Sequence, residues 1–344
     1  MNPYISFVIA ARNDEYAGNF LQRMQVFANV LLSLSEKHNL DAELVVVEWN
    51  PPEDRPRLEE AINWPKSLKP RTVRIIEVSN EIHRGLPNSH RLPMFEYIAK
   101  NVGIRRARGE YVLATNPDLL FSEELIACLA SKNLSRSRFY RIDRYDLRGS
   151  IPIGVQAEAA LELAKRHIHQ VNIREDPRRG LCVRIGRVRR WYSLLSTKWP
   201  GSYQKPLRSR ASKDLAISLN DDNGVYGGVY TNASGDFLLA SSDSWRGIRG
   251  FPEFTDTFIH LDSYACHQLK AWGLEQALFV PPCMIMHAEH QRRERQSRPT
   301  VPGDKWQNDL RMLRDGLLAP AINEESWGLA GEELAEIVVP GVES

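Results

Sequence analysis

The sequence predicts a mixed α/β fold in which a mainly parallel sheet is flanked by helices. Three observations carry this expectation. Apolar runs of strand length alternate with segments of helical periodicity through residues 4–130. The runs are apolar at consecutive positions, as in strands covered on both faces. Polar residues stand directly after several of them, and ligands of open α/β sheets bind beyond the carboxyl ends of the strands. The chain has 344 residues, 42% hydrophobic and 26% charged. That is long enough for one large domain with a sizeable core, and ordinary enough to exclude disorder and fibrous repeats.

Tyr4 to Ala11 reads as the first strand, and Arg12-Asn13-Asp14 as the polar turn that closes it. Phe20, Leu21, Met24, Phe27, Ala28, Leu31 and Leu32 then recur at helical spacing. Leu44-Val45-Val46-Val47 is the second strand; it runs into Glu48-Trp49-Asn50 and is stopped by Pro51 and Pro52. Val73, Ile75, Ile76 and Val78 mark a third strand. A helix is expected from about Met94 to Ala107, ended by Gly109. Tyr111-Val112-Leu113-Ala114 is the fourth strand, closed by Thr115-Asn116-Pro117-Asp118. Ser122 to Leu129 restarts a helix, and Leu161 to Ile168 forms another. From Arg174 to Lys213 the chain is dense in Arg and Lys, with Trp191, Tyr192, Trp199 and Tyr203 among them. Gly224 to Tyr230 is a glycine-aromatic loop signal. Phe237 to Ala240 is a short strand and Phe258 to Trp272 a helix. Ala277 to Val280 is a strand stopped by Pro281 and Pro282, and Asp304 to Leu318 is the last helix. The tail carries Glu324, Glu325, Glu332, Glu333, Glu336 and Glu343 and no Lys or Arg. No internal repeat is found.

The net charge is +2, from 45 Lys+Arg against 43 Asp+Glu. That total does not favour a stable nucleic-acid partner. The cations are nevertheless concentrated between residues 174 and 213 and at Arg292, Arg293, Arg295 and Arg298. Such a cluster suits an anionic ligand or a membrane surface, or is a solvated face. The four cysteines, Cys128, Cys182, Cys266 and Cys283, show no CxxC spacing and read as reduced thiols of a cytoplasmic protein. Tyr4 to Ala10 lacks the basic flank and the length of a signal peptide. No stretch approaches the roughly 20 apolar residues of a membrane helix. The expected location is cytoplasmic, with peripheral association at the inner face of the membrane left open.

Two segments carry a family resemblance. Ala99-Lys100-Asn101-Val102-Gly103-Ile104-Arg105-Arg106-Ala107-Arg108-Gly109-Glu110-Tyr111-Val112-Leu113-Ala114-Thr115-Asn116-Pro117-Asp118 resembles the helix–strand–DxD stretch of family-2-like nucleotide-sugar glycosyltransferases with the GT-A fold. Gly235-Asp236-Phe237-Leu238-Leu239-Ala240 through Trp245, Gly250-Phe251-Pro252 and His260-Leu261-Asp262 is similar to the acceptor-side segment of galactosyltransferase-like members. Phe7 to Asp14 also fits the family's first strand. The resemblance implies a GT-A, Rossmann-like sheet with an inserted basic region and a C-terminal helical tail. Its parts would be 1–135, binding the donor; 136–232, a variable basic and aromatic insertion or lid; 233–300, binding the acceptor and completing the same domain; and 301–344, a helix and acidic tail. The basic region matches no family.

The resemblance also implies roles for individual residues. Ala10, Arg12, Asn13, Glu48, Arg91, Asn116 and Asp118 would bind the nucleotide-sugar donor. Asn116 replaces the first acid of DxD, so a ribose hydroxyl would meet an amide there. Asp118 and His287 would hold Mn²⁺ or Mg²⁺, with His290 as the alternative ligand. Asp236 and Trp245 would hold a glycan or glycolipid acceptor. Asp262, at the start of a helix whose dipole favours its ionised form, would be the general base of an inverting transfer. The chemistry asks for such a set, because a departing nucleoside diphosphate gathers negative charge that a metal or fixed cations must stabilise. A retaining transferase stays open. A nucleotidyltransferase is disfavoured, since Arg12-Asn13-Asp14-Glu15 is no glycine-rich phosphate loop. A non-catalytic glycan-binding or nucleic-acid-binding protein is the remaining alternative.

Overall fold

Alternate residues of each buried strand feed two separate cores. Phe7, Ile9, Leu44, Val46, Val73 and Ile75 belong to one apolar cluster, and Val8, Ala10, Val45, Val47, Ile76 and Val78 to the other. That is why these strands read as continuous apolar runs: at about 1.5–3 kcal/mol per buried aliphatic side chain, both faces are covered. The computed structural model describes residues 2–14, 18–65, 72–172, 217–219, 229–257, 260–290 and 303–339. The basic stretch 174–213, the 224–228 part of the glycine-aromatic loop, Cys182, the first two residues of the expected 258–272 helix and the arginines at 292–298 lie outside them.

The strands are β1 (Ile5–Ala11), β2 (Ala42–Trp49), β3 (Thr72–Val78), β4 (Tyr111–Thr115), β5 (Leu119–Phe121), β6 (Arg138–Ile142), β7 (Arg144–Leu147), β8 (Ile168–Asn172), β9 (Ile217–Leu219), β10 (Phe237–Ser241), β11 (Glu275–Phe279), β12 (Ile285–His287) and β13 (Glu336–Val338). The helices are α1 (Phe20–Lys37), α2 (Leu58–Ala61), α3 (Asn80–Gly85), α4 (Glu96–Arg106), α5 (Glu123–Ala130), α6 (Ala157–His167), α7 (Ser242–Gly247), α8 (Leu261–Ala271) and α9 (Gly303–Arg314). Among the described residues the main sheet has the order β13-β3-β2-β1-β4-β10-β6-β11-β9, and a second sheet the order β5-β12-β7-β8. The neighbours β3, β2, β1 and β4 are parallel. β10 then joins β4 antiparallel, with Phe237 opposite Thr115. The fold class is the one expected, a Rossmann-like mixed sheet with helices on both faces. No described helix is long and apolar enough to cross a membrane.

Three features differ from the sequence reading. The segment from 136 does not begin as an insertion: β6 enters the main sheet between β10 and β11. The acidic tail returns to the sheet, where β13 pairs with β3 and Glu336 bonds Arg74 at 2.8 Å. Short strands β5, β7 and β12 join β8 in a second sheet. Each is three or four residues long, too short to show a period. Ser122 holds this junction together. Its hydroxyl accepts the Leu125 N–H at the start of α5 and the Met284 N–H just before β12.

Candidate functional site

Two strand ends define the site. β4 runs into Asn116-Pro117-Asp118 and then straight into β5. β10 starts at the same end, directly after Asp236, because it is antiparallel to β4. The Asn116 amide therefore donates to Asp236 Oδ1 at 2.8 Å, and the Thr115 hydroxyl donates to the Asp236 carbonyl at 2.7 Å. In the second sheet, β12 lies between β5 and β7. His287 faces Leu119 on one side and Asp146 on the other. That register brings Asp118 and His287 together from positions far apart in the chain.

The result is a cluster of Asp118, His287 and His290. One ligand atom from each lies within 4.8 Å of the others. Asp118 Oδ2 is 3.6 Å from His287 Nε2 and 3.5 Å from His290 Nε2. Burial works against charge at both Asp118 and His287. The hydrogen bonds and charges they give each other, with Asp146 acting on the imidazole, outweigh it. They hold the Asp118 carboxyl down at about 2 and the His287 imidazole up at about 9. Asp118 Oδ1 is buried with no hydrogen-bond partner. A carboxylate with one oxygen facing two imidazoles and the other orphaned is what a divalent cation would satisfy. The donor set of one carboxylate and two imidazoles fits such a cation, and imidazole nitrogens suit a first-row transition ion better than the oxygen-preferring Mg²⁺.

The cluster opens into a cleft of about 580 Å³. Ala10, Arg12, Asn116, Asp118, Asp236 and His287 line it, all expected from the sequence. Arg23, Glu96, Arg144 and Gln170 also line it, and sequence reasoning missed them. Arg144 and Asp146 had one available signal, the Arg-x-Asp alternation in a segment of strand length. Arg12 is fixed in the cleft wall, donating to the Asn50 carbonyl at 2.7 Å and pairing with Asp14 at 2.6 Å.

Asn13, Glu48, Arg91, Trp245 and Asp262 do not line the cleft. Asn13 is buried and donates to the Pro56 carbonyl at 2.9 Å. Glu48 turns inward, and both carboxylate oxygens accept the Leu58 N–H at the start of α2, each at 3.1 Å. Arg91 is exposed on a short turn. Trp245 is fully buried against Phe251, its ring 5.0 Å away, and its indole N–H donates to the Val112 carbonyl. It packs the core and offers no face to a sugar, because burial of a large apolar ring with its N–H satisfied is its stable state. Asp262 is half-buried beside the cleft-lining Leu261 and turns to the backbone before Asp236. Its Oδ2 accepts the Ser234 hydroxyl at 2.7 Å and the Gly235 N–H at 2.8 Å, which anchors the segment leading to Asp236.

Neither a family model nor a curated protein matches the sequence. Among solved structures the chain is similar to GalNAc-T7, solved with UDP, GalNAc and Mn²⁺, at 12% identity and a TM-score of 0.44 over 87% of this chain and 46% of that one. It is also similar to TarS of S. aureus, at 11% identity and a TM-score of 0.46 over 94% of this chain and 41% of that one. The chain thus spans less than half the length of either.

Proposed function

We propose that this chain is a metal-assisted glycosyltransferase of the GT-A type, which moves a sugar from a nucleoside-diphosphate donor to a hydroxyl of a glycan or glycolipid acceptor. The observation that carries this reading is the Asp118–His287–His290 cluster lining a cleft beyond the ends of parallel strands. The helix–strand resemblance leading into Asn116-Pro117-Asp118 points the same way. Asp118, His287 and His290 would hold the ion, which when bound supplies positive charge to the departing diphosphate. Asn116 and Arg12 would orient the donor in the cleft. The resemblance also supports, by family analogy, a setting in cell-surface polysaccharide synthesis, and the reduced-thiol reading of the cysteines supports a cytoplasmic one.

A thermal-shift screen of nucleoside diphosphates, with and without Mn²⁺, tests the reading. A ligand at a hundred times its Kd stabilises by about 2.7 kcal/mol, so the matching diphosphate should raise the melting temperature in the presence of the ion. Failure of every diphosphate to do so overturns the reading.

The mechanism proposed is inversion. A carboxylate takes the proton from the acceptor hydroxyl as its oxygen attacks the anomeric carbon and the diphosphate leaves. Asp262 holds this role by resemblance. Glu96 is the second reading, because it lines the cleft while Asp262 does not. The base variant, Asp262→Asn or Glu96→Gln, should lose about 10²–10⁴-fold in turnover while still binding the diphosphate. Single-turnover assays of both decide between them, and near-normal turnover in either removes that residue from the role.

A further inference from the structure

Strand β7 carries two charged residues whose purpose the cleft alone does not explain. Arg144 and Asp146 alternate along it and so share one face. β12 runs parallel to β7 with His287 opposite Asp146. Asp146 Oδ1 lies 3.4 Å from His287 Nδ1, while the other ring nitrogen, Nε2, faces Asp118. The imidazole is thus flanked by a carboxylate at each nitrogen. Asp146 Oδ1 is itself 2.9 Å from Arg144 Nε. The far side of the same guanidinium bonds Asp236 Oδ2 at 2.7 Å, and Asp236 Oδ1 accepts the Asn116 amide. A single chain of contacts therefore runs from Asn116 through Asp236, Arg144 and Asp146 to His287. Arg144, Asp146 and Asp236 all lie mostly out of solvent.

We propose that Asp146 and Arg144 are positioning residues for cation binding: Asp146 fixes the tautomer and orientation of His287, and Arg144 clamps Asp146 and Asp236 so that both sides of the site are set together. The inference rests on the metal reading of the Asp118–His287–His290 cluster. An imidazole ligates through its deprotonated nitrogen, and a carboxylate at Nδ1 places the N–H there and leaves the Nε2 lone pair for the ion. The guanidinium suits the bridging role because its planar fork spans two carboxylates that an ammonium would meet at one point. It also balances the negative charge that Asp146 and Asp236 place beside the cluster.

Mn²⁺ titration of the full chain, followed by the electron paramagnetic resonance signal of the free ion, tests this without reference to turnover. Asp146→Asn should weaken Mn²⁺ binding by about 10–100-fold, as is usual for partners of ligating histidines. The melting temperature of the ion-free protein should stay near that of the wild type. Arg144→Lys should also weaken binding. The double variant should lose little more than the worse single one, since both act through His287. Wild-type affinity in Asp146→Asn, or in Arg144→Lys should Asp146→Asn fail to fold, overturns the positioning role. Additive losses in the double variant overturn the linkage between the two residues. Absence of Mn²⁺ binding by the wild type instead overturns the metal reading itself, so the two failures are distinguishable.

Discussion

Glu48 illustrates how little a residue's place in the chain says about its direction. It ends a strand at the edge where ligands bind, yet its carboxylate caps α2 from within the protein. Burial raises this carboxyl to about 7 from an ordinary 4.5, with the Leu58 N–H and the Arg57 charge opposing the rise only in part. The folded protein therefore binds a proton that the unfolded chain has released between those two values. Stability drawn from this group is fully present below about pH 4.5 and is lost as pH rises through about 7. At ~1.4 kcal/mol per unit the loss is on the order of 3 kcal/mol. Glu48→Gln keeps an acceptor for Leu58 and removes the titration. The variant's stability relative to the wild type should thus climb between pH 5 and pH 8, as read from urea unfolding at each pH. A pH-independent difference would contradict the assigned burial effect.

Helix α4 shows the same tension at the scale of an element. The sequence marks a helix from about Met94 to Ala107, but what fixes its depth against the sheet is Gly103. A Cβ there would lie 2.5 Å from Val8 Cγ1 and 3.1 Å from Val47 Cγ2. Helix propensity alone would make Gly103→Ala stabilising by about 1 kcal/mol. Overpacking against two valines of a rigid parallel sheet should cost about 1–3 kcal/mol. The second effect is expected to win, giving a lower denaturation midpoint with an unchanged m value. A net gain in stability would mean that the helix shifts outward freely. The consequence reaches the site, because Glu96 and Tyr97 in the first turn of α4 line the cleft.

At the scale of the molecule, the tail and the sheet are joined by a buried ion network. Arg74 and Glu43 are almost wholly buried and pair at 2.9 Å, and Arg74 also bonds Glu336 of β13. Glu43 accepts the Ser6 hydroxyl and the Arg108 N–H, both at 2.6 Å. Removing Arg74 leaves Glu43 charged among apolar strands. Arg74→Met should cost about 3–5 kcal/mol, and it should also expose the tail to limited proteolysis as β13 loses its anchor. A cost below about 1 kcal/mol with an intact tail would show that the network is dispensable.

The sequence by itself determined the parallel core, its helices and the polar residues at the strand ends. Those features depend on local periodicity: an apolar run buried on both faces, a helical stripe, a proline stop. It also put Asn116, Asp118, Asp236 and His287 forward as site residues. Only the tertiary structure decided which of these meet and what holds them. Asp146 and His287 stand on two short strands, and Asp118 directly precedes a third; their pairing register brings the three together, and no short strand announces its partner. Burial of Trp245 and the inward turn of Glu48 have the same origin. The side chain's direction is set by strand parity and by neighbours remote in sequence, and those exist only once the sheets have formed.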